Sequence, residues 1–321
     1  MVPDALAGFA RVHADLAVYD EQAGFLRARN PSPGRRVALV SGGGSGHEPL
    51  HLGFIGAGML DAVCPGQLMA SPHNRQVFDA SRAVSRGDGV LHLVKNYTGD
   101  RINFGIAAER LAHEGIECAR VLIDDDLASE SADSATGRRG TGAAVLVEKV
   151  LGAAADTGLG LRELADLGTD LVGRCRSLAV ASAAHHSPAT GRVAFDLADG
   201  DLEWGVGIHG ERARRTETRP ALDELVTKMT EALLTALGRT AGESVIALVN
   251  GLGGVTRLEL YGVARQLALR LERWGVVLER VLVGDFVTAL DMRGFSLTLM
   301  GADPETVKWF DAPAHTAAWP R

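Results

Sequence analysis

Three short stretches carry residues whose types and spacing could do chemistry. The first is Ser41-Gly42-Gly43-Gly44-Ser45-Gly46-His47, a run of small residues that ends in a titratable ring. Bare backbone amides in such a run can hold a hydroxyl, carbonyl or phosphate oxygen. The second is Lys95-Asn96-Tyr97-Thr98-Gly99-Asp100, an ammonium followed five residues later by a carboxylate. Asp100 follows a glycine at the head of a helical pattern, so it reads either as an N-cap or as a general base at a strand end. The third is Gly207-Ile208-His209-Gly210-Glu211. Glycines on either side of His209 let the backbone approach a ligand and leave the imidazole accessible. The other histidines, His13, His51, His73, His92, His113, His185, His186 and His315, have no such setting and default to surface or satisfied core.

The glycine loop is not a nucleotide loop of a familiar kind. A phosphate-binding P-loop ends in Gly-Lys-Ser/Thr. The four lysines here are Lys95, Lys149, Lys228 and Lys308, and none follows a glycine. The pattern GxGxxG fails as well, since the sixth position from Gly42 is His47 and from Gly251 is Thr256. The nucleophile elbow GxSxG fails because His47 stands where its last glycine belongs. Asp124-Asp125-Asp126 suggests a metal site, but three consecutive residues at a strand end cannot all face one ion, and capping or partner docking fits them better.

These stretches need elements to position them. Residues 36–40, 89–94 and 118–123 are short apolar runs that end in the glycine loop, in the Lys95 segment and in the aspartate triplet respectively. They read as buried strands. Helical patterns at 73–86 and 102–114 lie between them, and such alternation implies parallel pairing in a layered α/β fold. Ligands in such sheets gather at the carboxyl ends of the strands. A polar loop, residues 128–139, precedes helices at about 140–156 and 161–174. Further strands are expected at 177–182, 192–197, within 201–211, and at 245–249, 277–283 and 296–300, with amphipathic helices at 220–237 and after 256. The domain boundary falls near residues 174–177.

Composition agrees with a globular protein: 46% hydrophobic and 23% charged over 321 residues, with 39 glycines, well above the usual ~7%. The net charge of −7 and the lack of a basic stripe argue against nucleic acid, leaving Arg138-Arg139 and Arg214-Arg215 as surface pairs. Cys64, Cys118 and Cys175 form no CxxC pair, which argues against a zinc or disulfide framework. No apolar run reaches ~18 residues and no basic-then-apolar leader opens the chain, so a cytoplasmic protein off the membrane is expected.

Ten ordered segments together are more specific than any one loop. SGGGSGHEP (41–49), CPGQLMASP (64–72), VKNYTGD (94–100), IDDD (123–126), GRRGTG (137–142), GVGIHGE (205–211), ALVNGLGG (247–254), ELYGV (259–263), LDMRGFSLTL (290–299) and DAPAHTAAWP (311–320) resemble the substrate-binding subunits of dihydroxyacetone kinases. The resemblance spans nearly the whole chain. It implies two α/β domains: a three-layer domain with a mainly parallel sheet, residues 1–175, then a two-layer domain with a mixed sheet, residues 176–321. It also implies a homodimer.

Carried over position by position, the resemblance makes His209 the histidine that bonds covalently to the substrate carbonyl as a hemiaminal. His47 and Asp100 match the residues that hydrogen-bond substrate hydroxyls and serve acid–base roles, and Gly44 and Lys95 match pocket positions that contact the ligand. The chemistry is coherent. Dihydroxyacetone and glycerol differ in one polar group, and shape alone discriminates by only ~10–200-fold. Addition of imidazole to a carbonyl is a selection glycerol cannot meet. It also fixes the terminal hydroxyl for phosphoryl transfer, and Asp100 can take that hydroxyl's proton.

No cofactor is expected on this chain itself. In the family, ADP or ATP with Mg²⁺ sits on a nucleotide-binding partner subunit or on a fused second domain, and one branch draws phosphate from a phosphotransferase-system protein. Because the chain stops just past the resemblance, a separate partner is expected. Two departures from the pattern stand out. Ala184-His185-His186-Ser187-Pro188 replaces a Cys-x-x-Pro-like stretch, which opens a preference for a ketose such as erythrulose. Arg212 stands where a proline is usual after Glu211. Two alternatives remain: a non-catalytic dihydroxyacetone sensor acting with a transcription regulator, which needs the carbonyl trap but not the base, and a lipid-binding protein of the same build, which has no use for Gly-x-His-Gly.

Overall fold

The strand that feeds the glycine loop is the centre of the first of two units. In a computed structural model, residues 1–129, 137–212 and 215–320 are described. Part of the polar loop at 128–139 and Arg214 of the second basic pair lie outside the described residues. The first unit comprises Met1–Ile123, Ala144–Val172 and Lys308–Arg321. Its strands are β1 (Ala17–Asp20), β2 (Phe25–Ala28), β3 (Ala38–Ser45), β4 (Ala62–Leu68), β5 (Val90–Lys95) and β6 (Cys118–Ile123). They lie in the order β1-β2-β4-β3-β5-β6. The four strands β4-β3-β5-β6 pair in parallel, while β1 and β2 are antiparallel additions at one edge.

Side chains alternate across this sheet, as a strand demands. Ala38, Val40, Val90 and Val94 pack with Val77 and Phe78 of α2 (Asn74–Val84) and Phe104 and Leu111 of α3 (Thr98–His113). Leu39, Ser41, Leu91, Leu93 and Lys95 therefore point to the opposite face. That face receives α4 (Ala143–Asp156) and α5 (Leu161–Gly173). Residues 144–151 of α4 are completely buried, including Glu148 and Lys149, so this helix is surrounded rather than amphipathic. A Cβ on Gly168 of α5 would strike Val121 of β6 and Leu151 of α4, so glycine permits the close approach. The result is the three-layer arrangement.

Buried Arg35 ties α4 to the sheet. Its guanidinium donates to Asp156 at 2.6 Å, to Asp61 at 2.9 Å, and to the carbonyls of Met59 at 2.6 Å and Gly152 at 2.8 Å. A buried ion pair repays its desolvation only when the remaining donors and acceptors are satisfied, and here four acceptors surround one cation.

The second unit comprises Asp124–Ala143 and Gly173–Val307. Its strands are β7 (Cys175–Ala183), β8 (Asp201–Trp204), β9 (Arg215–Thr218), β10 (Ser244–Gly251), β11 (Val277–Gly284) and β12 (Arg293–Ala302), in the order β11-β10-β12-β7-β8-β9. Only β10–β11 is parallel, so the sheet is mixed. Helices α6 (Leu222–Leu237) and α7 (Arg257–Arg273) cover one face with Leu225, Met229, Leu233, Leu260, Val263 and Leu267. A capping box between Thr256 and Glu259 starts α7.

Three sequence expectations change. Residues 192–197 are not a strand: Val193 is 45% exposed and the segment makes a single bridge, to His186. Of its alternating Val-Phe-Leu pattern, Phe195 packs against Ala181, Val206 and Leu252, but the backbone joins no ladder. The strand expected within 201–211 stops at Trp204, because Gly205 adopts φ 77°. Last, the units are not consecutive blocks divided at 175/176. The chain changes unit at 172/173, but residues 124–143 join the second unit and 308–321 the first. Asp125 explains the first exchange. Its carboxylate accepts from Thr141 N at 2.7 Å, Thr141 Oγ1 at 2.8 Å, Ala143 N at 3.0 Å and Ser177 Oγ, and its carbonyl accepts from Ser177 N at 2.8 Å.

Candidate functional site

In the first unit, β3 and β5 end side by side and bring together the first two of the three stretches. Gly43 lies against Lys95: a Cβ there would overlap the ammonium. Gly44 backs onto the chain at 69–70, where a Cβ would come within 2.7 Å of Ala70 N. These glycines are small for packing reasons at the mouth of the sheet. His47 and Asp100 are buried, at 1% and 3% exposure. The helix cap at this end is Tyr97, not Asp100, which stands in the first turn of α3. A carboxylate there is stabilised by the helix dipole.

Lys95 is fully buried and its ammonium is held from two sides. It lies 2.8 Å from His51 Nε2 and donates to Gly42 O at 3.2 Å. Asp100 Oδ2 is 3.9 Å away, an ion pair too long for a hydrogen bond. Among the described residues, two of the three ammonium N–H groups thus have acceptors. Asp100 Oδ1 is buried with no hydrogen-bond partner. Donor and acceptor capacity therefore remain on either side of this gap, the arrangement that a ligand hydroxyl, able to accept and donate at once, would complete. Burial pulls the Lys95 ammonium below its ordinary range, while Asp100 and Glu148 push it back up.

In the second unit, the loop after β8 presents His209. Gly207 N donates to Glu211 O at 2.8 Å and Gly210, at φ 83°, closes a turn onto Gly207 O at 3.0 Å. The Glu211 carboxylate reaches back to His209 N at 3.0 Å and to His209 Nδ1 at 3.0 Å. Burial alone would raise the Glu211 carboxyl, but the hydrogen bond from His209, its charge and that of Arg139 bring it down to about 2. An ionised carboxylate can only accept, so Nδ1 carries the proton and Nε2 carries the lone pair of the neutral ring. That makes Nε2 the nucleophilic nitrogen.

His185 packs against the same loop, 2.9 Å from where a Cβ on Gly210 would stand. Its Nδ1 is buried without a hydrogen-bond partner. Its neighbour His186 pairs outward with Asp291 at 2.8 Å. The three aspartates diverge onto protein partners: Asp124 to Arg138 at 3.2 Å, Asp125 to the Thr141 segment, and Asp126 to Arg139 at 2.8 Å. Arg212, in place of the usual proline, binds Glu203 at 2.8 Å and 3.0 Å, so the loop keeps a firm anchor.

The structure places Gly44, His47, Lys95 and Asp100 in the first unit, with Lys95 and Asp100 3.9 Å apart, and His209 in the second. Three participants escaped the sequence reading. Glu211 was visible in the motif but had no assigned task. His51 has the sequence setting of an ordinary histidine, and Glu148 lies in an apolar helix. The signal for Glu148 was available: Glu148-Lys149 is a charged pair inside a run of Ala, Val and Leu, which a merely structural helix avoids.

A two-unit α/β chain with a glycine-rich strand end and a carboxylate-backed Gly-x-His-Gly loop is the type of protein these features define. Its sequence matches the Dak1 domain over residues 7–318, and the chain belongs to that family. It is 41% identical to the Escherichia coli (strain K12) PEP-dependent dihydroxyacetone kinase, dihydroxyacetone-binding subunit DhaK, covering 99% of this chain and 96% of that protein. Among solved structures, it is similar to the dihydroxyacetone kinase operon co-activator Dha-DhaQ (TM-score 0.93, 31% identity, covering 99% of this chain and 98% of that one). It is similar also to the native dihydroxyacetone kinase of C. freundii (TM-score 0.90, 34% identity), covering 99% of this chain and 58% of the kinase.

Proposed function

We propose that this chain is the dihydroxyacetone-binding subunit of a dihydroxyacetone kinase and holds its ketone on His209. The observation that carries the reading is the Glu211 carboxylate on His209 Nδ1, which leaves Nε2 as the nucleophile. The Nε2 lone pair attacks the ketone carbon, the carbonyl π pair moves to oxygen, and that oxygen takes a proton from solvent. The ring becomes an imidazolium whose Nδ1–H faces an ionised carboxylate, so the adduct's positive charge is stabilised where it forms. Asp100 and His47 act on the terminal hydroxyl: Asp100 accepts its proton as the oxygen attacks phosphorus, and His47 orients it. Lys95 and Gly44 line the place where the substrate oxygens rest. The relatives' names support this reading, as does the unspent hydrogen-bonding capacity between Lys95 and Asp100.

The nucleotide and Mg²⁺ belong, on this proposal, to a separate kinase subunit, re-phosphorylated by a phosphotransferase-system protein or exchanging ATP directly. The substrate-binding chain acts as a homodimer. A coupled assay tests the reading: dihydroxyacetone, this chain and candidate partner subunits, with ATP or a phosphorylated protein as donor. The expected product is dihydroxyacetone phosphate, and erythrulose run alongside reports whether the His185 loop changes ketose choice.

A second reading, a dihydroxyacetone sensor acting with a transcription regulator, is favoured by the TM-score of 0.93 to the operon co-activator. Asp100 weighs against it, since a sensor needs the carbonyl trap but not a base. Ketone capture without turnover by any partner would establish the sensor and sink the kinase.

A further inference from the structure

At the glycine-rich end of the first sheet, buried groups that the proposed chemistry does not use, Ser41, His51 and Glu148, run up to Lys95. Ser41 points from β3 to the face covered by α4. Its hydroxyl donates to Leu93 O at 2.9 Å, so its oxygen is left to accept, and His51 Nδ1 lies 3.0 Å from it. The same Nδ1 lies 2.5 Å from Glu148 Oε1, reaching in from α4. The far nitrogen of the ring, Nε2, lies 2.8 Å from Lys95 Nζ. Side-chain exposures along the chain are 0% for Glu148, 3% for His51, 1% for Lys95 and 4% for Asp100. A fold does not need such a chain: an apolar cluster of the same volume between α4 and the sheet is usually as stable as, or more stable than, buried charge.

Hydrogen-bond accounting fixes the sense of the chain. An ammonium has three donors and no acceptor. For Lys95 to be charged and 2.8 Å from Nε2, that nitrogen must accept, and so Nδ1 must bear the ring proton. Nδ1–H in turn needs an acceptor, and Glu148 Oε1 and Ser41 Oγ are the two it faces. Glu148 and Ser41 thus hold His51 in the tautomer whose Nε2 accepts from the lysine, and that nitrogen fixes where the ammonium sits. What remains of Lys95's donor capacity is then turned to the 3.9 Å gap beside Asp100.

We propose that Glu148 is a positioning residue for Lys95, acting through His51 to keep the ammonium charged and aimed at the substrate oxygen beside Asp100. The substrate part rests on the reading above; the effect on Lys95 does not. The titratable groups facing Lys95 are His51 from the segment after β3, Asp100 from α3 and Glu148 from α4. Burial lowers the lysine, and the two carboxylates raise it. Burial also pushes Glu148 up to about 8, against the pull of the lysine charge. His51 is driven well below its ordinary range by burial and by Lys95, so it stays a neutral relay. On the alkaline side of about pH 8, Glu148 is therefore a carboxylate and supports the ammonium. Removing its charge makes Lys95 lose its proton at lower pH.

Glu148→Gln keeps the size and an acceptor oxygen while removing the charge, so it separates electrostatics from packing. The chain has four lysines, so a spectrum of ¹³C,¹⁵N-lysine-labelled protein is sparse, and the Lys95 signal is identified by its loss in Lys95→Gln. We expect Lys95 in Glu148→Gln to titrate about one pH unit or more below wild type, the low end of what a nearby opposite charge exerts. The alkaline limb of ketone affinity should move the same way. An unchanged Lys95 titration in a folded variant overturns the proposal. His51→Gln gives a second route, since it breaks the relay but leaves Glu148, and should shift Lys95 in the same direction. A shifted titration in protein that binds no ketone in either form would uphold the role of Glu148 and sink the substrate reading alone.

Discussion

The imidazole of His209 is directed by one neighbouring carboxylate, and Glu211 makes a specific prediction. Glu211→Gln retains an acceptor for Nδ1–H but no longer faces the imidazolium with a charge. A hydrogen bond to a charged group contributes about 1.5–3 kcal/mol, so the ketone adduct should weaken roughly 10-fold or more, measured as a dissociation constant. The sign of the pH dependence follows from Glu211 lying at about 2 instead of its ordinary 4.5. Its support for the loop is fully present above about pH 4.5 and is lost as pH falls through about 2, so adduct formation near neutrality should not report Glu211 titration. Asp100→Asn tests a different step. It should leave the adduct in place and lower phosphoryl transfer by about 100–10,000-fold, the range of a lost general base. An adduct lost together with turnover would assign Asp100 to binding alone.

At the scale of elements, the site depends on how β3, β5 and α4 are clamped together. Arg35 sits under this arrangement with Asp61 and Asp156. Arg35→Ala leaves Asp61, 2% exposed, with Arg86 as its remaining cation, so we expect a loss of about 3–5 kcal/mol in urea unfolding. Gly44→Ala should fail differently: a Cβ at 2.7 Å from Ala70 N must push the 64–72 segment away from the glycine loop. Weaker ketone binding with a smaller loss of stability than in Arg35→Ala is the expected result. The element pattern was legible where apolar runs end abruptly in polar sequence, as at residues 40, 94 and 123. It was illegible at β4, where Pro65 and Gly66 break the strand signal and pairing with β3 overrides propensity. At 192–197 the reverse happened, with strand-like composition and no sheet to join. Lys95, Asp100 and His209 could be read because each stands where a local pattern breaks. His51 and Glu148 could not, because 97 residues separate them and only the layering of α4 on the sheet makes them neighbours.

For the whole molecule, the two units are built from interleaved pieces of the chain. A sequence reads as consecutive blocks, so the exchange of residues 124–143 and 308–321 depends on contacts such as Asp125 to Ser177 that no local pattern announces. Among the described residues no helix is long and apolar enough to cross a membrane. With dihydroxyacetone, ATP and Mg²⁺ but no partner subunit, this chain should release no phosphorylated triose. Product formed by the chain alone would show that it binds nucleotide itself. The central claim is that a ketone bonds to His209, and the mass of the intact protein, recorded rapidly after mixing, tests it most directly. Wild type with dihydroxyacetone should gain the full mass of one ketone per chain, since addition to a carbonyl loses no water. Glycerol should give no gain, and His209→Ala none with either compound. An unshifted wild-type mass, or a shift that survives His209→Ala, would contradict the account.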